Sequence, residues 1–88
     1  MKEYELHPAN GRKSFYGKAV VKVDDDGTET LLSYDTPIIK KKGDKLIPLY
    51  TGKKYGMTTA THVKSFCGIS KEQYRKLLTE NGMKFEED

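Results

Sequence analysis

Apolar and polar positions alternate most regularly over residues 14–23. Phe15, Gly17, Ala19, Val21 and Val23 fall on one side of an extended chain, and Tyr16, Lys18, Val20 and Lys22 on the other. A period of two belongs to a strand with one buried face. Asp24-Asp25-Asp26-Gly27 then offers a turn with a glycine for positive φ, and residues 29–34 return as the partner strand. Residues 37–42 and 45–50 form a second expected hairpin around Gly43-Asp44, with Ile38, Ile39, Leu46, Ile47 and Leu49 on its buried side. Pro37 interrupts the chain before that hairpin, and Pro48 favours an edge position for its last strand, because proline cannot donate to a ladder. Before all of this, residues 1–13 read as an irregular lead-in or a short edge strand, broken at His7-Pro8-Ala9-Asn10-Gly11.

After a loop, Thr51-Gly52-Lys53-Lys54-Tyr55-Gly56, the spacing changes to that of helices. Thr58 or Thr59 is the expected N-cap of the first, whose inner face carries Ala60, Val63, Phe66 and Cys67. Gly68 supplies a left-handed stop. Ser70 followed by Gln73 is a capping box for the second helix, with Tyr74, Leu77 and Leu78 as its apolar stripe and Asn81-Gly82 as its end. Glu72 and Lys76 are spaced to pair on its outer face. Residues 83–88 are expected to fray, with Met83 or Phe85 tucking back onto the sheet.

These elements predict one α+β domain over residues 1–88: an antiparallel sheet of about four strands, built as two hairpins over residues 14–50, with a helical pair over residues 58–82 on one face. The expected core holds Phe15, Ala19, Val21, Leu32, Ile38, Ile47, Leu49, Val63, Phe66, Leu77 and Leu78. With 88 residues there is room for one small core and not for two. A lone cysteine, Cys67, excludes an intrachain disulfide. No run approaches the roughly 18 apolar residues of a membrane span, and residues 1–5 lack the apolar core of a secretion signal. The expectation is a cytoplasmic, soluble protein without membrane contact.

The net charge of +3 hides an uneven distribution. Residues 1–35 carry five basic and seven acidic side chains, and residues 77–88 carry one lysine and four acids. Residues 36–76 carry ten basic side chains against Asp44 and Glu72 alone. Such a basic middle attracts polyanions, although lysines on strand edges also keep a small sheet from pairing with other chains. Lys40, Lys41, Lys42, Lys45, Lys53 and Lys54 lie close in sequence to Tyr50 and Tyr55. Lysine neutralises phosphate, and an exposed tyrosine stacks on an unpaired base.

The two helices also invite comparison with a helix-turn-helix. Around Gly68, the apolar positions of that motif are all filled, by Val63, Cys67, Ile69, Tyr74 and Leu77. Lys64 stands where the motif wants a small residue at the helix crossing. In such a reader Ser70, Lys71, Gln73, Arg75 and Lys76 would face the groove or phosphates. The competing reading makes the pair a cover for the core.

Catalytic chemistry finds little to work with. His62 and Cys67, five apart on a helix, point about 140° away from each other. Two histidines and one cysteine do not close a structural zinc site. Asp24 to Asp26 lack the remaining ligands of a calcium loop. No cofactor and no small-molecule substrate is expected.

Ser14-Phe15-Tyr16-Gly17-Lys18-Ala19, Leu32-Ser33-Tyr34-Asp35-Thr36, and Tyr55-Gly56 with Thr58, Thr59, His62, Val63 and Phe66 together resemble a family of small proteins of unknown function. The family is carried by phages, plasmids and integrated elements of gut and related bacteria. The resemblance spans roughly residues 4–67 and implies a bacterial mobile-element setting with no catalytic residue to transfer. The functional expectation is a non-enzymatic binding module that contacts nucleic acid through Lys40, Lys41, Lys42, Lys45, Tyr50, Lys53, Lys54, Tyr55, Lys71 and Arg75. Its alternative is a modulator or counter-defence inhibitor that binds a host protein.

Overall fold

A computed structural model describes residues 2–6, 18–52 and 55–85. Its strands are β1 (Lys2–Glu5), β2 (Ala19–Val23), β3 (Glu29–Ser33), β4 (Thr36–Lys42) and β5 (Lys45–Pro48), followed by helices α1 (Met57–Cys67) and α2 (Lys71–Glu80). The sheet is an antiparallel meander in the order β1-β2-β3-β4-β5. The α+β class stands as expected, with five strands instead of about four. The added strand is β1, which pairs with β2 at one edge, as the short-edge-strand alternative for the lead-in had it. The expected first part of the β2 strand, with Phe15, lies outside the described residues.

Among the described residues, two of the three tight turns follow their glycines: Gly27 has φ +87° and Gly43 φ +60°. The first is reinforced by Asp26, whose Oδ1 accepts from the Thr28 backbone N–H at 3.0 Å. The β3–β4 connection has no glycine. Tyr34 and Asp35 both take positive φ, 51° and 66°, in a two-residue loop between the paired Ser33 and Thr36. That is the signature of a type I′ hairpin turn.

Away from the β4 bulge, register assigns the strand residues to a face. Tyr4, Val21, Leu31, Ile39 and Pro48 stand in one cross-strand row. This row lies under the helices, and all but the edge residue Tyr4 are buried. The neighbouring row, Glu3, Lys22, Thr30, Lys40 and Ile47, points to the other side. A bulge beside Leu31 and Leu32 inserts one extra residue in β4. It lets the consecutive Ile38 and Ile39 both enter the core, and the missing N–H of Pro37 falls at this irregular point.

The core therefore differs from the expected one in its β3 and β5 members. Leu31 is buried and Leu32 is not, because Leu31 shares the row of Val21 and Ile39. Ile47 and Leu49 are half-buried and do not pack on the core, whereas Leu46 does. Ala19, Val21, Ile38, Val63 and Leu78 are core residues as expected, and Phe66 and Leu77 pack at its margin. Leu6, Ile39, Tyr55 and Tyr74 complete it.

Helix α1 starts earlier than expected, with Gly56 as N-cap and no side-chain cap. Thr59 is not a cap; it is buried within the first turn. Gly68 ends α1 in the left-handed region, its N–H bonded to Lys64 O at 2.8 Å. The Ser70–Gln73 capping box opens α2, with both reciprocal bonds formed at 2.8 and 3.2 Å. Each helix packs on the sheet, α1 against β3 and β4 and α2 against β5. Tyr74 fastens α2: its buried hydroxyl donates toward Tyr50 O at 2.7 Å and Ile38 O at 3.0 Å, and accepts from Tyr50 N at 3.2 Å. Its ring stacks on Tyr55 with centroids 4.6 Å apart, and Phe85 covers both rings. Among the described residues, no helix is long and apolar enough to cross a membrane.

Candidate nucleic-acid interface and an adjoining cavity

Strand alternation sorts the basic hairpin. Lys40 and Lys42 alternate onto the sheet face opposite the helices, and Lys45, paired with Lys42, joins them there. Lys22 belongs to the same face, two strands away from Lys40 in one row, about 10 Å at the usual strand spacing. Lys41 goes to the helix side, opposite Glu29 and Leu46. There its charge pulls the Cys67 thiol pKa down, while burial, the larger effect, pushes it up.

Lys42 and Lys45 face each other directly, a like-charge pair that costs the hairpin some stability. Asp26 relieves it by taking Lys42 Nζ at 3.3 Å on Oδ2. The Asp26 carboxyl is held down to about 2, first by the Thr28 backbone N–H, then by the Thr28 side chain and the Lys42 ammonium. Val20 and Leu32 lie half-buried between the β4 lysines and the β1 edge, where Glu3 and Glu5 stand, and Ile47 lies half-buried on β5 opposite Lys40.

The remaining candidates are scattered. Tyr55 is 3 % exposed and stacked inside the core, so it cannot stack on a base. Burial pushes its phenol pKa up, and that of Tyr74 up to about 12. Lys71 and Arg75 form a second cluster over Phe85, the ammonium 5.9 Å and the guanidinium 5.7 Å from the ring centroid. Lys53 and Lys54 lie outside the described residues. Of the five helix-turn-helix contact positions, the Ser70 and Gln73 side chains bond within the capping box, while Lys71, Arg75 and Lys76 are exposed.

Tyr50 is half-buried and lines a cavity of about 490 Å³ on the helix side, at the far end of β4 from Lys42. The cavity opens between the Tyr34–Asp35 turn and the start of α1 and is walled by Tyr34, Thr36, Ile38, Met57 and Thr58. Ser33 and Thr59 also line it and bond to each other, Oγ to Oγ1 at 3.3 Å. Ser33 Oγ is also 2.8 Å from His62 Nδ1. Burial, then the nearby Lys18 charge, lowers the His62 pKa and keeps the ring neutral at pH 7. His62 and Cys67 have separate partners, Ser33 for one and Val63 O for the other. Among the described residues, no group of three or more His, Cys, Asp or Glu is placed to hold a metal.

Two contributors escaped the sequence reading. Lys22 was on the correct strand face but was not grouped with the hairpin, since only the register brings β2 and β4 together. The cavity needs the two-residue turn at Tyr34 and the early start of α1, neither of which has a composition signal. Compared with curated proteins and with solved structures, the chain finds no match. Residues 4–81 match a family of unknown function, DUF8033, and the chain belongs to that family.

Proposed function

We propose that the protein is a non-enzymatic binding module of a bacterial mobile element, acting in the cytoplasm, that contacts nucleic acid through the open face of its sheet. The observation that carries this reading is the register, which gathers Lys22, Lys40, Lys42 and Lys45 opposite both helices. Lysine heads on a sheet face track phosphates as mobile point charges and give affinity with little base selectivity. A directly opposed Lys42–Lys45 pair is better satisfied by a bound polyanion than by water. The half-exposed Val20, Leu32 and Ile47 beside these lysines favour a second reading, an acidic surface of a host protein as the partner.

A salt-titrated binding assay with duplex DNA, single-stranded DNA and RNA separates the two. Each phosphate neutralised contributes about −0.9 to the log–log salt slope on duplex and about −0.7 on single strands. Four lysines predict a slope of about −3.6 on duplex and about −2.8 on single strands. Charge reversal by Lys22→Glu with Lys40→Glu should abolish binding, while Lys71→Glu with Arg75→Glu should leave it nearly unchanged. Absence of binding to all three polymers at low ionic strength would sink the nucleic-acid reading.

A further inference from the structure

We infer that the cavity between the Tyr34–Asp35 turn and the start of α1 receives one unpaired nucleobase. This second contact extends the nucleic-acid reading, on which the identity of its ligand rests. Among the described residues, the lining carries no charged side chain. It combines Tyr34 and Tyr50 with Thr36 and Thr58, and with Ser33 and Thr59 whose hydroxyls already bond each other, and Ile38 adds an apolar side chain. Flat apolar faces beside mixed donors and acceptors suit a heteroaromatic ring with a hydrogen-bonding edge. They do not suit a carboxylate, an ammonium group or an aliphatic chain. The volume, about 490 Å³, is within the range of small-ligand pockets and ample for a base with part of its sugar.

Three features show that these rings are held in place for contact. Tyr34 is 52 % exposed, although both residues of its turn pay for positive φ without a glycine. An Asn-Gly pair would make the same turn at lower cost; the ring at this corner instead meets buried His62 with centroids 6.0 Å apart and keeps its remaining surface open. Tyr50 is clamped from two sides: its backbone N and O are bonded to Tyr74 Oη, and its ring lies so close to Gly52 that a Cβ there would collide with it. Lys18 Nζ stands 5.6 Å from the Tyr34 centroid, where it can meet a phosphate adjoining the inserted base. The Thr36 end of β4 lines the cavity and the Lys40 and Lys42 end lies on the open face, about 13–20 Å along the strand. The two lie on opposite faces, so one strand of nucleic acid reaches both by passing round the end of the sheet at the Tyr34–Asp35 turn.

The test uses the full chain and uncharged probes. Adenosine, guanosine, cytidine and uridine are titrated to about 10 mM against the ¹⁵N-labelled protein, at low and at high salt. At least one should give saturable shifts at Ser33, Tyr34, Thr36 and Thr58, with an affinity that salt leaves unchanged. Tyr34→Asn combined with Asp35→Gly keeps the fold with a relaxed turn sequence, which Tm checks, and should weaken nucleoside binding roughly tenfold, as expected for loss of a base–aromatic stack. It should leave the salt slope of oligonucleotide binding intact. No saturable shift with any nucleoside, or shifts unchanged in the relaxed-turn variant, would overturn the inference. Neither result touches the lysine face, whose own failure would show as loss of oligonucleotide binding alone.

Discussion

The two faces of the sheet are made by the same five strands, residue by residue in alternation, and they have almost opposite characters. On the helix side, Val21, Leu31 and Ile39 are fully buried in one row and are roofed by Val63, Tyr74 and Leu78. On the other side, the neighbouring row runs Glu3, Lys22, Thr30, Lys40 and Ile47, exposed at Glu3 and half-exposed at the other four. Burial concentrates the folding energy on the first row, because apolar area removed from water there is complete. The second row is left nearly free of folding duty. Its residues can be chosen for a partner at small cost to the fold, and the charge on this face supports such a use.

The sharpest attempt to break this contrast uses adjacent leucines. Leu31→Ala should leave a cavity in the row between Val21 and Ile39 and cost about 2–5 kcal/mol. Leu32→Ala, one residue on and on the open face, should cost less than about 1 kcal/mol, in the range of a partly exposed side chain. Urea denaturation of the two variants checks the order. Equal losses would mean that the open face is covered in the folded protein.

Those two leucines also show what could and could not be read from the chain. In Thr30-Leu31-Leu32-Ser33 a period-two reading has no basis for choosing between adjacent leucines, and the choice falls to cross-strand partners far away in sequence. The β4 bulge breaks the period again, since Ile38 and Ile39 are both buried where alternation allows one. Tyr55 and Tyr74 read as surface aromatics or stripe residues until their neighbours are known. Tyr74 becomes buriable only because Tyr50 and Ile38, 24 and 36 residues away, supply its hydroxyl with partners. By contrast, Gly27, Gly43, Gly68 and the Ser70–Gln73 box were legible because their causes are local. The site followed the same rule. The basic residues were visible as composition, but their division between two faces and a separate α2 cluster depends on pairing.

Acid gives a second, intermediate way to set the faces apart. His62 is 1 % exposed on the helix side, and burial, reinforced by Lys18, lowers its pKa in the folded state. Above the unfolded pKa of about 6.5 the ring is neutral in both states and contributes nothing to the pH dependence. As pH falls through that value the unfolded chain takes up the proton first, so stability declines and stops declining once pH is below the folded pKa. Urea midpoints measured from pH 7.5 to 5 should fall more for the wild type than for His62→Gln. Parallel pH profiles would remove His62 as the acid-sensitive group of the covered face.

The smallest stability effect belongs to Lys42, and there the two faces should part most cleanly in kind. Its ion pair with Asp26 is exposed at both ends, 61 % and 57 %, so solvent screens it and its loss should not move the urea midpoint measurably. Lys42→Gln should nevertheless reduce the salt slope of nucleic-acid binding by about 1, the share of one phosphate contact. The reciprocal variant sharpens the point. Asp26→Asn keeps a side-chain oxygen for the Thr28 N–H while releasing Lys42 from its partner. Binding should then tighten in low salt with no gain in stability. If instead Asp26→Asn weakens binding, Lys42 depends on Asp26 to hold its position, and the pair belongs to the interface as a unit.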